Sequence, residues 1–437
     1  MMRLALGAVT ALLVACGPPQ IAGPCTGDQD CALEGGGRCL PSPAGANACA
    51  YPDLACSGGY HWGELAGSIA GECLDQSERD AGIDADRDGG PAQRWGLLVA
   101  NARAVDNNPV EPLRLYAPDG QGTYASVWTS DELDWGRSVA WADFDQDGDQ
   151  DFAVGNGFLD RARNRVYRND GGGAFSVFWT ATDVAYTNTV KWADVDRDGD
   201  LDLLAVFNSG VYVYRQDGGT LISGSYAVPS SASVSKFDVG DFNGDGAIDL
   251  AAVGQATASS SVWLNGGTGT FSRLPWDSGP SISVALGDYD SDGDLDLALG
   301  RTSSFSIYKN EGGIPVATFS STEIGISDST NAMAWLDFDR DGDLDLVCAH
   351  TAGNSPAPVR VYRNAGGTFS VVWTSVETSA FTSVSDADFN SDGRPDLAVG
   401  ARGAPNRIYR NDGGGVFSSS WNSTESETTN AVAWAPL

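Results

Sequence analysis

Short apolar runs separated by Gly- and Asp-rich turns recur along residues 95–437, and they come in sets of four. In one set the runs are VAW, DFAVGN, RVYRN and FSVFW, with a Gly-Gly turn at Asp170-Gly171-Gly172 before the last. Their lengths, their β-branched and aromatic content and the turn residues between them predict β-strands, and no helical period is present. The set returns about every 49 residues. Four short strands in each such repeat predict the blades of a β-propeller, a ring of sheets that leaves no long unprotected edge.

Between the first and second strand of each set lies a nonapeptide, Asp-x-Asp/Asn-x-Asp-Gly-x-x-Asp. The first copy has Asp143, Asp145, Asp147, Asp149 and Asp151 at its odd positions, and the second has Asp194, Asp196, Asp198, Asp200 and Asp202. The third has Asp241, Asn243, Asp245, Ala247 and Asp249, and the fourth Asp288, Asp290, Asp292, Asp294 and Asp296. The fifth has Asp337, Asp339, Asp341, Asp343 and Asp345, and the sixth Asp388, Asn390, Asp392, Arg394 and Asp396. Oxygen donors on alternate residues, with Gly at the sixth position for the turn, suit calcium, which takes six to eight oxygens in a flexible shell. Positions 1, 3, 5 and 9 are the expected side-chain ligands. Position 7 tolerates Ala and Arg, as it can if it offers its backbone carbonyl. An EF-hand would carry Glu at position 12 and flanking helices, whereas apolar strands follow here. About six calcium ions are expected, with weaker sites where Asn replaces Asp.

The last residues, TNAVAWAPL, match a first strand and stop at Pro436 where the next loop would open. WGLLVAN, PLRLYAPDGQG and TYASVWTS near residue 100 match second, third and fourth strands without a first. The two ends are therefore expected to complete one shared blade, making seven. The fold class expected is all-β: a seven-bladed propeller over residues 94–437 with calcium loops, preceded by a small disulfide-rich segment.

Composition fits this picture. The 437 residues include 55 Gly and 13 Trp, and only 19% are charged, a bias toward strands and tight turns. The formal net charge is −32, yet 26 of the 58 acidic residues lie in the six loops. Six bound divalent ions would bring it to about −20 by simple counting. With no basic patch to meet phosphates, no nucleic-acid partner is expected.

The N-terminal region reads as an export segment. Arg3 followed by an apolar run to Ala15 has the form of a signal peptide, too short for an ordinary membrane span. Leu13-Val14-Ala15-Cys16 resembles the lipobox of bacterial lipoproteins, which implies cleavage before Cys16 and acylation there. An ordinary secretory signal is the alternative. Gly17, rather than Asp, points to an outer-membrane or cell-surface location. Residues 16–75 hold Cys25, Cys31, Cys39, Cys49, Cys56 and Cys73. Six cysteines in a short exported segment predict disulfides, with 15 connectivities open; zinc is the poorer reading, because no CxxC pair is present. Residues 76–93 have the composition of an acidic linker. They contain Asp84-x-Asp86-x-Asp88-Gly89, but no Asp fills position 9 and the following strand is out of register.

The nonapeptide followed by an apolar strand, with Gly403-Ala404-Pro405 after the second strand of the sixth copy, resembles the FG-GAP or VCBS repeats of integrin α-subunit propellers and bacterial surface proteins. The resemblance covers residues 95–437. It implies calcium at the six loops, on the face opposite the principal ligand surface. Most copies lack the GAP tripeptide.

These readings lead to the expectation of a lipid-anchored surface protein, without enzymatic activity, that binds an extracellular protein or glycan. The segments between second and third strands vary in length, with long ones at 101–112, 155–164 and 350–358, as suits binding loops on a fixed scaffold. A polysaccharide lyase is the alternative, but such chemistry needs a base near neutrality and the only histidines are His61 and His350. A structural protein without a discrete ligand is a third. Trp128, Trp141, Trp179, Trp192, Trp335, Trp373 and Trp421 are expected to pack sheet on sheet rather than stack on sugars. The cations after the third-strand Tyr (Arg168, Arg215, Lys309, Arg363 and Arg410) are expected to face water.

Overall fold

A computed structural model describes residues 94–437, apart from 103–110, 120–122, 158–162, 172, 185, 208–209, 256–259, 275, 277, 322–328 and 352–355. It also describes the backbone of three upstream strands. The chain divides into two compact units, Met1–Ala92 and Gln93–Leu437. In the first unit, Arg38–Pro41, Asn47–Pro52 and Tyr60–Trp62 form an antiparallel sheet in which Cys39 lies opposite Cys49. The signal peptide, Cys16, Cys25, Cys31, Cys56, Cys73 and the acidic linker with Asp84, Asp86 and Asp88 lie outside the described residues.

The second unit is built of antiparallel sheets in chain order. Gly136–Ala142, Asp151–Asn156, Arg165–Asn169 and Phe175–Thr180 form one four-stranded meander. Four more such sheets start at Val190, Lys236, Ser283 and Ser329. The remaining strands form an eight-stranded sheet with two halves. One half is the meander Ala380–Ala387, Asp396–Arg402, Arg407–Gly413 and Val416–Asn422. In the other, Thr428–Pro436 pairs along its length with Trp95–Ala102, from Thr428 opposite Ala102 to Pro436 opposite Trp95, and Arg114–Pro118 and Tyr124–Thr129 follow. A single pair, Arg402 with Thr428, joins the halves.

The second strands are the most apolar because both of their faces are covered. Asp151–Asn156 is buried at every residue, whereas the fourth strand Phe175–Thr180 is mostly exposed. That difference explains the continuous apolar run of the one and the mixed composition of the other. Rings fill the space between neighbouring sheets. Phe152 stacks on Tyr167 at 4.8 Å between centroids, and Trp128 and Trp141 meet it edge-on at 5.8 and 5.1 Å. A bulge recurs between third and fourth strands, at Val177/Trp179, Ile307/Tyr308 and Val361/Tyr362, and adds local twist. Among the described residues of this unit the only helical segment is the 3-10 turn Ser230–Ala232.

Candidate functional site

Each nonapeptide connects the first strand of a sheet to the second and is wound by its own carboxylates. The position 1 Asp accepts the backbone N–H groups of positions 5 and 6; in the first loop Asp147 and Gly148 donate to Asp143, both at 3.0 Å. The position 5 carboxylate accepts the N–H of position 7, at 2.9 Å from Asp149 to Asp147 and 2.8 Å from Ala247 to Asp245. Gly at position 6 sits at positive φ, 97° at Gly148. Position 4 does so as well, with φ 59° at Gln146, 61° at Arg197 and 62° at Arg340. Non-Gly residues rarely adopt that conformation, and the loops hold it through the hydrogen bonds just described.

Position 9 is the structural anchor. Asp151, Asp202, Asp249, Asp296, Asp345 and Asp396 are fully buried. Asp345 accepts the N–H of Phe338 at 3.2 Å through one oxygen and the N–H of Asn364, in the third strand, at 2.7 Å through the other. Desolvation pushes these carboxyls up, to about 6 in Asp151, Asp202 and Asp249 and about 7 in Asp296, Asp345 and Asp396. The backbone donors hold part of that rise back.

Carboxylate oxygens converge within 4.8 Å of one another in four loops. The groups are Asp143, Asp145 and Asp151; Asp194, Asp196 and Asp198; Asp288, Asp290 and Asp296; and Asp337, Asp339 and Asp345. The donor set suits a hard divalent cation. One oxygen of the position 3 residue in each group (Asp145, Asp196, Asp290 and Asp339) is buried without a hydrogen-bond partner among the described residues, as a carboxylate that faces a metal would be. Position 7 (Asp149, Asp200, Asp294 and Asp343) and, in three loops, position 5 (Asp147, Asp292 and Asp341) stand outside the groups. Asp202 also stands outside, leaving positions 1, 3 and 5 in the second loop. In the third and sixth loops the position 3 Asn donates to position 5 instead: Asn243 to Asp245 at 3.0 Å and Asn390 to Asp392 at 3.1 Å. Those two loops carry an internal donor where the others carry an unpartnered oxygen.

The third-strand cations do not simply face water. Arg215, Lys309 and Arg363 form ion pairs with the position 3 residues Asp196, Asp290 and Asp339, and Lys309 also reaches Asp292 at 2.9 Å. Arg168 and Arg410 pair with Asp170 and Asp412, both at 2.6 Å. Strand alternation alone misses this, because the partner loop arrives from the far side of the second strand. His350 is not in a loop. It lies in the second strand Asp345–Thr351, 2% exposed, with neither ring nitrogen hydrogen-bonded among the described residues, and burial pushes its pKa down to about 3. The tryptophans join sheets: Trp141, Trp192 and Trp335 donate to the carbonyls of Ala433, Ala140 and Ala285 in the preceding repeat. Much of the three long segments between second and third strands lies outside the described residues.

The opposite ends of the first strands line a cavity of about 500 Å³. Arg137, Lys236, Ser283, Asn331, Thr382 and Asn430 each come from a different first strand. The first metal loop opens at Asp143, six residues beyond Arg137, or about 20 Å along a strand rising 3.3–3.4 Å per residue. Lys191 and Arg402 join Arg137 and Lys236 in the lining, which contains no Asp or Glu among the described residues. The sequence shows no basic run, but the fold assembles a basic cluster from separate repeats, and this corrects the expectation that no basic patch exists. Two further features escape linear reading: the φ of position 4, and the third-strand Asn or Gln that bridges repeats. The recurring Asn or Gln two residues after a third-strand aromatic, at Gln216, Asn265, Asn310, Asn364 and Asn411, was the available signal for the latter.

An FG-GAP-like repeat model matches residues 194–252, 241–299, 288–348, 337–399 and 388–437, and an FG-GAP repeat model matches 135–178. A search of curated proteins returned no match. Among solved structures, the chain is similar to an Agrocybe aegerita lectin that recognises non-reducing terminal N-acetylglucosamine, with TM-score 0.55 and 17% identity over 78% of this chain and 95% of that one. A Lactobacillus plantarum protein gives TM-score 0.57 at 12% identity, over 78% and 99%. The periplasmic gluconolactonase of Pseudomonas aeruginosa gives 0.55 at 15%, over 78% and 99%. At these identities the likeness is one of fold.

Proposed function

The chain belongs to the FG-GAP repeat family of β-propellers, and we propose on that basis that it is a calcium-stabilised, lipid-anchored surface protein that binds a protein or glycan ligand. The two halves of the eight-stranded sheet count as two blades, making a ring of seven. Calcium occupies the six loops, held by positions 1, 3, 5 and 9, and its role is to fix one face of the ring. The observation that carries the binding reading is the division of labour between faces. Every loop between first and second strands is committed to the repeated carboxylate motif, while the opposite ends of the same strands open a cavity with a less regular lining, in which Asn188, Asn331 and Asn430 recur at one position of the repeat where others carry Arg137, Ile282 and Thr382. A fixed scaffold with variable side chains at one end is how binding sites are commonly built. The lectin neighbour supports a glycan as ligand by likeness of fold alone. Catalysis would need a base other than His350, whose buried imidazole stays neutral.

Acylation at Cys16, a disulfide-bonded segment over residues 16–75 and a linker over 76–93 would hold the propeller away from an outer membrane or cell surface. Intact-mass analysis of the membrane fraction, with Cys16→Ser as control, is expected to find a lipidated Cys16 as the first residue. A soluble chain beginning elsewhere would end the anchoring reading. A glycan array probed with calcium-loaded protein is expected to give saturable binding that is lost when cavity side chains are changed and retained when a single metal loop is altered without unfolding. The reverse pattern would put the ligand on the metal face.

A further inference from the structure

We propose that the cavity at the ring axis is a site for an acidic saccharide unit, a polyhydroxylated anion bearing a carboxylate or phosphate, held by Arg137, Lys236 and Arg402. This rests on the reading of that face as the ligand face.

Charge carries the argument. The chain has 26 basic and 58 acidic residues, so a random cavity wall would be acidic. Among the described residues this wall presents four cations and no carboxylate. Lys191 is neutralised by Asp238 at 2.9 Å. For Arg137, Lys236 and Arg402 no carboxylate pair exists among the described residues. They act on each other instead: Arg137 helps hold the Lys236 ammonium below its ordinary range, after desolvation, and Arg402 does the same to Arg137. Like charges gathered without counter-charge cost free energy that an entering anion removes.

Arg137 and Lys236 are also held in place. Arg137 donates through Nε to Asn188 Oδ1 at 2.8 Å, and its guanidinium lies 4.7 Å from the centroid of the Tyr186 ring. No hydrogen bond engages its two terminal NH2 groups among the described residues, and that fork suits an oxyanion. Lys236 Nζ donates to the Asn331 carbonyl and has further protons to give. Pre-positioned donors need little reordering when a ligand binds. Asn331, Thr382 and Asn430 also line the wall; their donors are given to Thr351, Thr429 and Gly136, which leaves their side-chain oxygens to accept from a ligand's hydroxyl groups. The volume of about 500 Å³ falls in the range of small-molecule sites, about 300–1,000 Å³.

The test is calorimetric titration of the full-length, calcium-loaded protein with galacturonate, glucose 6-phosphate and glucose. The expected result is binding of at least one anionic sugar at least tenfold tighter than glucose, weakening as salt is raised. Arg137→Gln and Lys236→Gln are expected to lose that binding without a fall in melting temperature, and Lys236→Arg to keep it. The two anionic arms distinguish a sugar carboxylate from a sugar phosphate. Glucose binding as well as galacturonate, with both lost in the cavity variants, would overturn the anionic assignment and leave the ligand face standing. Anion binding that survives both substitutions, or no binding of any probe, would overturn the site itself, and the glycan array would then judge the ligand face independently.

Discussion

The side-chain amide of Asn364 donates to the backbone carbonyl of Tyr289, 2.7 Å away in the preceding repeat. Gln216 does the same to Phe144 at 2.9 Å, Asn265 to Val195 at 2.7 Å, Asn310 to Phe242 at 2.6 Å and Asn411 to Phe338 at 2.7 Å. The acceptor is always position 2 of a metal loop. Each donor residue also gives its backbone N–H to the buried Asp at position 9 of its own loop, as Asn364 does to Asp345. A loop is thereby tied to the third strand of its own sheet and, through position 2, to the sheet that follows.

Replacing Asn364 by Ala is expected to cost about 1–3 kcal/mol, because it leaves a buried carbonyl without its donor. Asn169 is the internal control. Among the described residues its amide donates only to Gln150 of its own repeat, at 3.3 Å, so Asn169→Ala should cost less. Equilibrium denaturation in saturating calcium measures both. Equal losses would mean that the bridge between repeats contributes nothing of its own.

Chelation is expected to lower the melting temperature strongly. A site with free calcium at about ten times its dissociation constant adds roughly 1.4 kcal/mol, so six approach about 8 kcal/mol, comparable with a domain's whole stability. The sites should fall into two classes. Four loops present an unpartnered position 3 oxygen, while Asn243 and Asn390 already satisfy Asp245 and Asp392. Calcium titration should therefore resolve four tighter and two weaker sites, and Asp145→Asn should move one site from the first class to the second. An unchanged melting curve in EDTA would remove the stabilising role.

The loop pattern and the strand sets were legible in the sequence because both are local: a carboxylate on every second residue, and apolar runs bounded by Gly. The antiparallel match of Thr428–Pro436 with Trp95–Ala102 was also legible, since one end lacked what the other supplied. What is assembled across repeats was not. Arg137, Lys236 and Arg402 are about 100 residues or more apart in the chain, and no local signal says that they share a cavity. The ion pairs of Arg215, Lys309 and Arg363 were misread for a related reason, since alternation along one strand does not show which loop arches over it.

Trp434 tests the pairing of the chain ends. It is 7% exposed, its ring lies parallel to Phe389 of the neighbouring meander at 5.9 Å, and it meets Tyr124 edge-on at 5.6 Å. Trp434→Ala should cost about 3–5 kcal/mol, the usual range for emptying a buried aromatic site. Deleting 430–437 should cost more, because the strand at Trp95–Ala102 would lose its partner as well. Stability unaffected by either change, measured by thermal denaturation in calcium, would break the closure.

Lys236 gives a pH dependence of defined sign. Desolvation, with a smaller contribution from Arg137, lowers its folded-state pKa from the ordinary 10.5 to about 8. Between these values the unfolded chain binds more proton than the folded one, so the contribution of this residue to stability rises with pH across that window. Below about pH 8 the folded state holds the charged ammonium beside Arg137 at full cost. Lys236→Met removes the group, and the variant should be more stable than the parent at pH 7, by up to about 3 kcal/mol at roughly 1.4 kcal/mol for each pH unit of depression. The gap should close between about pH 8 and 10.5. Denaturant titrations of the two proteins at pH 7, 8, 9 and 10, with calcium saturating throughout, measure it. A gap that stays constant would mean that Lys236 is solvated like a surface lysine and is not held under electrostatic load in the cavity wall.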